Sequence, residues 1–404
     1  MAASSPSAPP PEKPRLGRNV FALAAVSFLT DVSSDMTYPL LPLFLSTVLG
    51  ASATAVGAIE GAAETTAALL KLASGWWSDR VSRRKPLVLG GYTLASVVRP
   101  LIGLAQSVGQ VLAIRVADRV GKGVRTSPRD ALIADSVDPR IRGRAFGFHR
   151  AADNAGAVVG PLLAFAFLRW GGLHLRTVFL LTAIPGALAV LMLIFGVREA
   201  PRTPQMASPS RERPLDFKTP LGRRFWAYLG VLLLFTLGNS TDAFLLLRAG
   251  QLGVAAALVP ILWAMLNFVK SAASTPGGIL SDRLGRKPLI VAGWLVYAAV
   301  YFGFGRAASA WHAWALFAVY GLYFGLTEGV EKALVADLVP EDRRGAAFGW
   351  YNLALGIGAL PASLLFGFLW DHWSSTRAFD FGALMALAAA AGLAVVVPGR
   401  RAAA

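Results

Sequence analysis

The segment Gly75-Trp-Trp-Ser-Asp79-Arg80-Val-Ser-Arg83-Arg84-Lys85-Pro86 is a short basic hairpin between two long apolar runs. It returns as Gly278-Ile-Leu-Ser-Asp282-Arg283-Leu-Gly-Arg286-Lys287-Pro288, with the same ends and the same order of charges. The echo continues downstream. Ala131-Leu-Ile-Ala-Asp135 recurs as Ala333-Leu-Val-Ala-Asp337, and Arg142-Gly-Arg-Ala-Phe-Gly147 as Arg344-Gly-Ala-Ala-Phe-Gly349. From Asp135 to Asp337 and from Arg142 to Arg344 the shift is 202 residues, half of the 404-residue chain. A duplication of this size implies two halves of one architecture.

Around the hairpins the chain is 55% hydrophobic and only 15% charged, with long charge-free runs, which reads as an integral membrane protein. The net charge of +16 does not point to nucleic acid. A nucleic-acid binder gathers its basic residues on one exposed face, whereas here they punctuate apolar segments. The absence of cysteine excludes disulfides, thiolate metal sites and a cysteine nucleophile. No metal, cofactor or nucleic acid is expected as a partner.

Runs long enough to cross a bilayer, about 20 residues each, fall at 19–47, 53–77, 86–107, 109–137, 144–168 and 175–197. After a polar linker, six more fall at 225–247, 253–280, 288–306, 311–338, 344–370 and 377–397. The expected fold is an all-α membrane protein of twelve transmembrane helices in two pseudo-symmetric six-helix bundles. Its parts are a disordered tail (1–18), a first bundle (19–197), a linker (198–222) and a second bundle ending in a short tail (223–404). Val20 to Thr30 has the length of a signal-peptide core, but its counterpart Tyr228 to Thr241 argues for a retained helix. With the N-terminus inside, 24 Lys and Arg residues fall in cytoplasmic loops and tails and five on the opposite side: Arg169, Arg176, Arg248, Arg306 and Arg377. That bias places both termini in the cytoplasm and the protein in the cytoplasmic (inner) membrane.

Ten more basic residues and ten acids lie within these runs. A charge near the bilayer centre costs about 2.5–3.5 kcal/mol on insertion scales, so the twenty must line a wet cavity, pair, or snorkel from helix ends. Asp31 and Asp35 share one helix face, as do Glu60 and Glu64. Arg115, Arg119, Lys122 and Arg129 form one stripe, which Asp118 partly offsets. Asp31, Asp35, Glu64, Arg119, Asp242, Asn267 and Lys270 count to mid-membrane, where duplicated transporters bind their solutes. Asp35 and Asp242 occupy matching places, ending Ser33-Ser34-Asp35 and Ser240-Thr241-Asp242. A carboxylate without a partner in a low-dielectric cavity suits the loading and release of a proton. Asp35 and Asp242 are therefore the first candidates for proton coupling, with Asp31 and Glu64 behind them. Arg115, Arg119, Asn267, Lys270 and Glu328 are candidates for holding an anionic or zwitterionic substrate, or for tuning those acids. Arg129, Asp130, Glu331 and Lys332 suit structural pairing near the cytoplasmic mouth as well as ligand contact, and Lys71 suits snorkelling.

Gly75-x-x-x-Asp79-Arg80-x-x-Arg83-Arg84 resembles the loop 2–3 signature of the major facilitator superfamily, and Gly278-x-x-x-Asp282-Arg283-x-x-Arg286-Lys287 resembles its second-half copy. The resemblance covers about residues 15–400. It implies a cytoplasmic gate in which Asp79, Arg80 and Arg83 act with Asp135, and Asp282, Arg283 and Arg286 with Asp337, latching the outward-open state. Gly156-Ala-Val-Val-Gly160-Pro161 is similar to an element of proton-driven exporters, though helix packing alone produces the same glycine spacing. Asp118 to Asp130 is similar to a prokaryotic branch of the family whose substrates are not defined.

The resemblance implies a monomeric, proton-coupled secondary transporter that moves a small organic solute by alternating access, with export favoured by Gly156 to Pro161. Uptake of an organic anion or metal chelate is the alternative, favoured by the basic stripe. A membrane enzyme is the other class. Asp31-x-x-x-Asp35 and Glu60-x-x-x-Glu64 are similar to the paired acids that hold magnesium diphosphate in intramembrane transferases. Those acids belong at helix mouths, however, and these count to mid-span or beyond. Gly121-Lys122-Gly123 lacks the spacing of a nucleotide-phosphate loop, which argues against ATP drive.

Overall fold

A computed structural model describes residues 16–78, 80–81, 83–137, 141–199, 221–340 and 344–396. Most of the expected tail and linker lies outside these residues. Every regular element among the described residues is helical.

The first half begins with α1 (Arg18–Thr37), continued after a turn at Pro39 by the short α2 (Leu41–Leu43) and one π-helical turn (Phe44–Val48). It goes on through α3 (Ala53–Ser78), α4 (Lys85–Val98), α5 (Val108–Asp135), α6 (Arg142–Arg169) and the pair α7 (Leu175–Leu181) and α8 (Ala183–Gly196). The second half begins with α9 (Arg223–Gly238) and α10 (Ala243–Gln251), separated by Asn239-Ser240-Thr241-Asp242. It continues through α11 (Val259–Leu284), α12 (Arg286–Arg306), α13 (Ala310–Leu338), α14 (Arg344–His372) and α15 (Ser375–Val396). Each of the twelve expected runs is thus a helix or a broken helix. Ten have the length and apolarity to cross a membrane. The other two, α3 and α5, have the length, but α3 carries Glu60, Glu64 and Lys71 and α5 carries the basic stripe.

Glycine governs how closely the helices meet. Gly156 of α6 sits on the α1 backbone at Phe28 and Gly160 on it at Val32 and Met36, leaving no room for a side chain. This packing accounts for the Gly156-x-x-x-Gly160 spacing. Between the halves, α3 and α14 run together as a seam in which Gly57, Gly61, Gly356 and Gly367 each face the opposing helix without space for a Cβ. Asp371 of α14 closes that seam by accepting the backbone N–H groups of Ala53 and Thr54, at 2.9 and 2.7 Å, so the start of α3 is capped from the other half. Beside it, Leu43 of α2 packs against Gly250 of α10.

The interiors of the halves differ. The second half is packed with rings: Phe235 stacks on Trp294 with centroids 4.6 Å apart, Tyr297 on Tyr301 at 4.1 Å, and Tyr320 on Tyr323 at 5.6 Å. The first half holds ions instead, with Glu60, Arg99, Arg115, Asp118, Arg119 and Arg125 all buried.

Candidate functional site

A cavity of about 680 Å³ lies between the halves. Tyr38, Glu60, Glu64 and Lys71 line it from the first half, and Asn239, Ser240, Thr241, Asp242, Tyr320 and Asn352 from the second. From the α3–α14 seam it extends toward the basic hairpins, where Lys71, Asp130 and Asn352 form its wall.

The break between α9 and α10 is the element that builds the site. Asn239 turns its N–H back to the carbonyls of Phe235 and Thr236, at 2.9 and 3.1 Å, which ends α9. Ser240 and Thr241 lie outside both helices and face the cavity with Asp242, which already has helical backbone geometry as the N-cap of α10. A discontinuous helix of this kind presents backbone groups and a helix N-terminus to a solute. Tyr320 donates its hydroxyl to Asp242 Oδ1 at 2.7 Å, and no cation lies within ion-pair range of Asp242 among the described residues. Asp35 differs from its counterpart. It lies inside α1 and is absent from the cavity wall; its Oδ1 accepts the indole N–H of Trp263, from α11 of the other half, at 2.9 Å. Ser34 donates to Oδ2 of Asp35 at 3.2 Å. Asp31 packs against Gly156 of α6.

The stripe on α5 is committed within the first half. Glu60 accepts both Nε and Nη2 of Arg115, at 2.9 and 2.6 Å. Arg115 also reaches Asp118 at 3.6 Å, Asp118 accepts Arg99 at 2.7 Å, and Arg99 donates to Ser33 Oγ at 2.8 Å. Two arginines and two acids thus form a neutral buried chain linking α1, α3, α5 and the turn after α4. Arg119 is paired with Glu64 at 2.9 Å. Arg115 and Arg119, candidates for holding a solute or for tuning the acids, stand behind Glu60 and Glu64, and it is these acids that line the cavity. Asn267 is likewise turned away, donating to the carbonyl of Trp263 on its own helix at 3.1 Å. Glu328 binds Lys270 at 2.9 Å and Arg150 of the first half at 3.2 Å, a cluster outside the cavity wall.

Of the nine coupling and substrate candidates, Glu64 and Asp242 are on the wall. Lys71 is there too, rather than snorkelling, with no ion-pair partner among the described residues. Helical spacing reveals that Lys71 lies about two turns beyond Glu64 on the same face of α3, but not what faces them. Tyr38 and Tyr320 carry no sequence signal that separates them from core tyrosines.

At the hairpins, Asp79 lies outside the described residues, as does the side chain of Asp282. Arg84, not Arg83, reaches Asp135, at 2.7 Å, while Arg83 is exposed. In the second half Arg286 reaches Asp337 at 3.4 Å. Arg84 and Arg286 are 202 positions apart, like Asp135 and Asp337. The second hairpin is one residue shorter, and Gly285, at φ +96°, makes the tighter link before α12. The following lysines repeat as well: Lys85 donates to the carbonyls of Ile194 and Val197 at the end of α8, and Lys287 to that of Ala394 near the end of α15. Arg283 is exposed, and neither Gly75 nor Gly278 is required by lack of space.

Residues 23–269 and 242–404 match the family model described as Major Facilitator Superfamily. This chain belongs to that superfamily. An uncharacterised MFS-type transporter of Methanocaldococcus jannaschii is 35% identical over 381 residues, covering 92% of this chain and 93% of that one. A probable 4-methylmuconolactone transporter of Cupriavidus pinatubonensis is 28% identical over 317 residues, covering 73% and 71%. Among solved structures, a nucleoside transporter superposes with a TM-score of 0.79 at 13% identity, over 94% of this chain and all of that one. A D-xylose–proton symporter gives 0.71 at 20% identity, over 94% and 97%. The chain is a superfamily transporter of a small solute, not an enzyme, and the transferase reading of the acid pairs falls.

Proposed function

We propose that this superfamily member is a proton-coupled transporter of a small polar or zwitterionic solute, working by alternating access in the cytoplasmic membrane. The halves at 19–197 and 223–404 rock about the cavity, both termini are cytoplasmic, and α3 and α5 cross the bilayer with their charges turned inward. On this topology the conformation described is inward-facing, because the α3–α14 seam is closed and the cavity runs toward the hairpins.

The carrying observation is Asp242: a carboxylate on the cavity wall, at a helix break, bonded to a tyrosine and, among the described residues, to no cation. A solute amine or a proton can neutralise it. Among the described residues Lys71 is the one basic side chain on the wall, and hydroxyls or amides of Thr126, Ser127, Thr236, Asn239, Ser240 and Asn352 fill much of the remainder. That lining matches a hydrophilic solute better than a lipophilic one. It also disfavours a multiply anionic solute, because Arg115 and Arg119 are already engaged. With Gly156 and Gly160 explained by packing, direction is left to experiment.

The test is a thermal-stability screen of the purified protein across pH with nucleosides, D-xylose, 5-aminolevulinic acid and 4-methylmuconolactone. A ligand at one hundred times its Kd stabilises the folded state by about 2.7 kcal/mol. A stabilising compound is then followed in proteoliposomes under an imposed pH gradient. Accumulation that collapses with the gradient supports coupling; equal flux with and without it overturns coupling. Accumulation in inverted vesicles under an inside-acid gradient identifies export, and gradient-dependent uptake by whole cells identifies import.

A further inference from the structure

We infer that Glu331 is a second proton-carrying group, seated in the C-terminal half away from the solute cavity. Beside Lys332 it reads in sequence as one member of an ion pair, but the structure separates the two. Lys332 is exposed, whereas Glu331 is 6% exposed and turned into the half. Its Oε1 accepts the indole N–H of Trp294, on α12, at 3.0 Å, and its Oε2 the hydroxyl of Tyr351, on α14, at 3.1 Å. Among the described residues no cation lies within ion-pair range. The other titratable and charged groups acting on this region are Tyr228 of α9 and, on α13 itself, Tyr323, Glu328 and Lys332. Glu328 is committed to Lys270 and Arg150.

Comparison of the halves sharpens the point. The positions 202 residues before Glu331, Trp294 and Tyr351 are Arg129, Tyr92 and His149. These three also form a cluster: Arg129, Tyr92 and His149 each bond Ser27 Oγ, at 3.1, 3.3 and 2.9 Å. The first half therefore places a permanent cation at this site and balances it with the adjacent Asp130, at 2.8 Å. The second half places an acid there with two neutral donors and no counter-charge. About ten ångströms in from the end of α13, by helical rise, a lone charge is costly, and a proton supplies the missing balance. Tyr228 adds an independent sign. Its hydroxyl is fully buried, has no hydrogen-bond partner among the described residues, and belongs to the electrostatic surroundings of Glu331. A second arrangement of the carboxyl, with the proton passed toward Tyr228, would satisfy it.

This inference rests on the proton-coupled reading, and the test separates the two. Infrared difference spectra of the full chain in liposomes, taken across pH, report protonated carboxyl groups directly and need no solute. The expected result is a protonated-carboxyl band that titrates in the wild type and disappears in Glu331→Gln, while Asp35→Asn and Asp242→Asn retain it. A band that survives Glu331→Gln but is lost in Asp242→Asn or Asp35→Asn overturns the Glu331 assignment and leaves the coupling proposal standing. No titrating carboxyl in the wild type overturns both. Should Glu331→Gln fail to fold, Tyr351→Phe and Trp294→Phe decide: each removes one hydrogen bond to the carboxyl and shifts the band, and an unmoved band in both overturns the assignment.

Discussion

Individual side chains divide here into those that hold the fold and those left free to act, and the division follows their partners. Glu60 and Arg115 are buried and doubly bonded to each other, so removing one leaves the other's charge unpaired. Breaking a buried pair from one side costs about 3–5 kcal/mol. Arg115→Met is therefore expected to lower the melting temperature sharply in detergent, and adding Glu60→Gln to recover much of the loss, which a thermal melt of the three variants checks. Asp242 has one hydroxyl partner, so Asp242→Asn is expected to leave the melt near wild type. Its effect belongs to transport: gradient-driven accumulation falls to the passive level while counterflow exchange of the same solute persists. Which residues belong to which group was only half legible beforehand. Spacing on α3 and α5 places Glu60, Glu64, Arg115 and Arg119 on inward faces, as found, but a periodicity carries no information about what stands opposite. The lysine assigned to snorkelling lines the cavity, and the arginines assigned either to the solute or to the acids are held by glutamates.

Elements show a similar contrast between pattern and contact. All twelve runs are helical because length, apolarity and loop charge each constrain them independently. The breaks are less visible. Pro39 announces the end of α1, whereas the break at Asn239-Ser240-Thr241-Asp242 lies within one expected run and is marked only by Gly238 and this polar cluster. Hairpin register was misjudged for a local reason: the single-residue difference at Gly285 moves the equivalence from Arg83 to Arg84. The α3–α14 seam depends on glycine, so Gly57→Leu is expected to force the helices apart at the end capped by Asp371. A cysteine at Ser363, opposite Gly57 in an otherwise cysteine-free chain, should then label faster with a membrane-impermeant reagent added from outside whole cells. Asp371→Ala weakens the same closure more gently, by about 0.5–2 kcal/mol, the range for a lost helix cap.

At the scale of the molecule, the duplication supplies symmetry and the residue content breaks it. One half is braced by ions and the other by stacked rings, so the two present different walls to a shared cavity. Rocking of two rigid halves requires that the seam open as the hairpin end closes. Leu72 and Asn352 lie on α3 and α14 beyond the seam, on opposite walls of the cavity. In the alternate state they are expected to approach as the seam residues do now. A Leu72→Cys, Asn352→Cys double variant should therefore cross-link under oxidation in membranes and stop transport, with reduction restoring it. Thr54→Cys with Asp371→Cys, placed where the Asp371 side chain already meets the Thr54 backbone across the closed seam, should cross-link without any change of state and stop transport from the other side. If the Leu72 and Asn352 pair cross-links while solute flux continues, the halves do not close at the hairpin end during the cycle. Because a rigid pair of bundles cannot be shut at both ends and still pass a solute, arrest by either cross-link, reversible by thiol, is the outcome that alternating access demands.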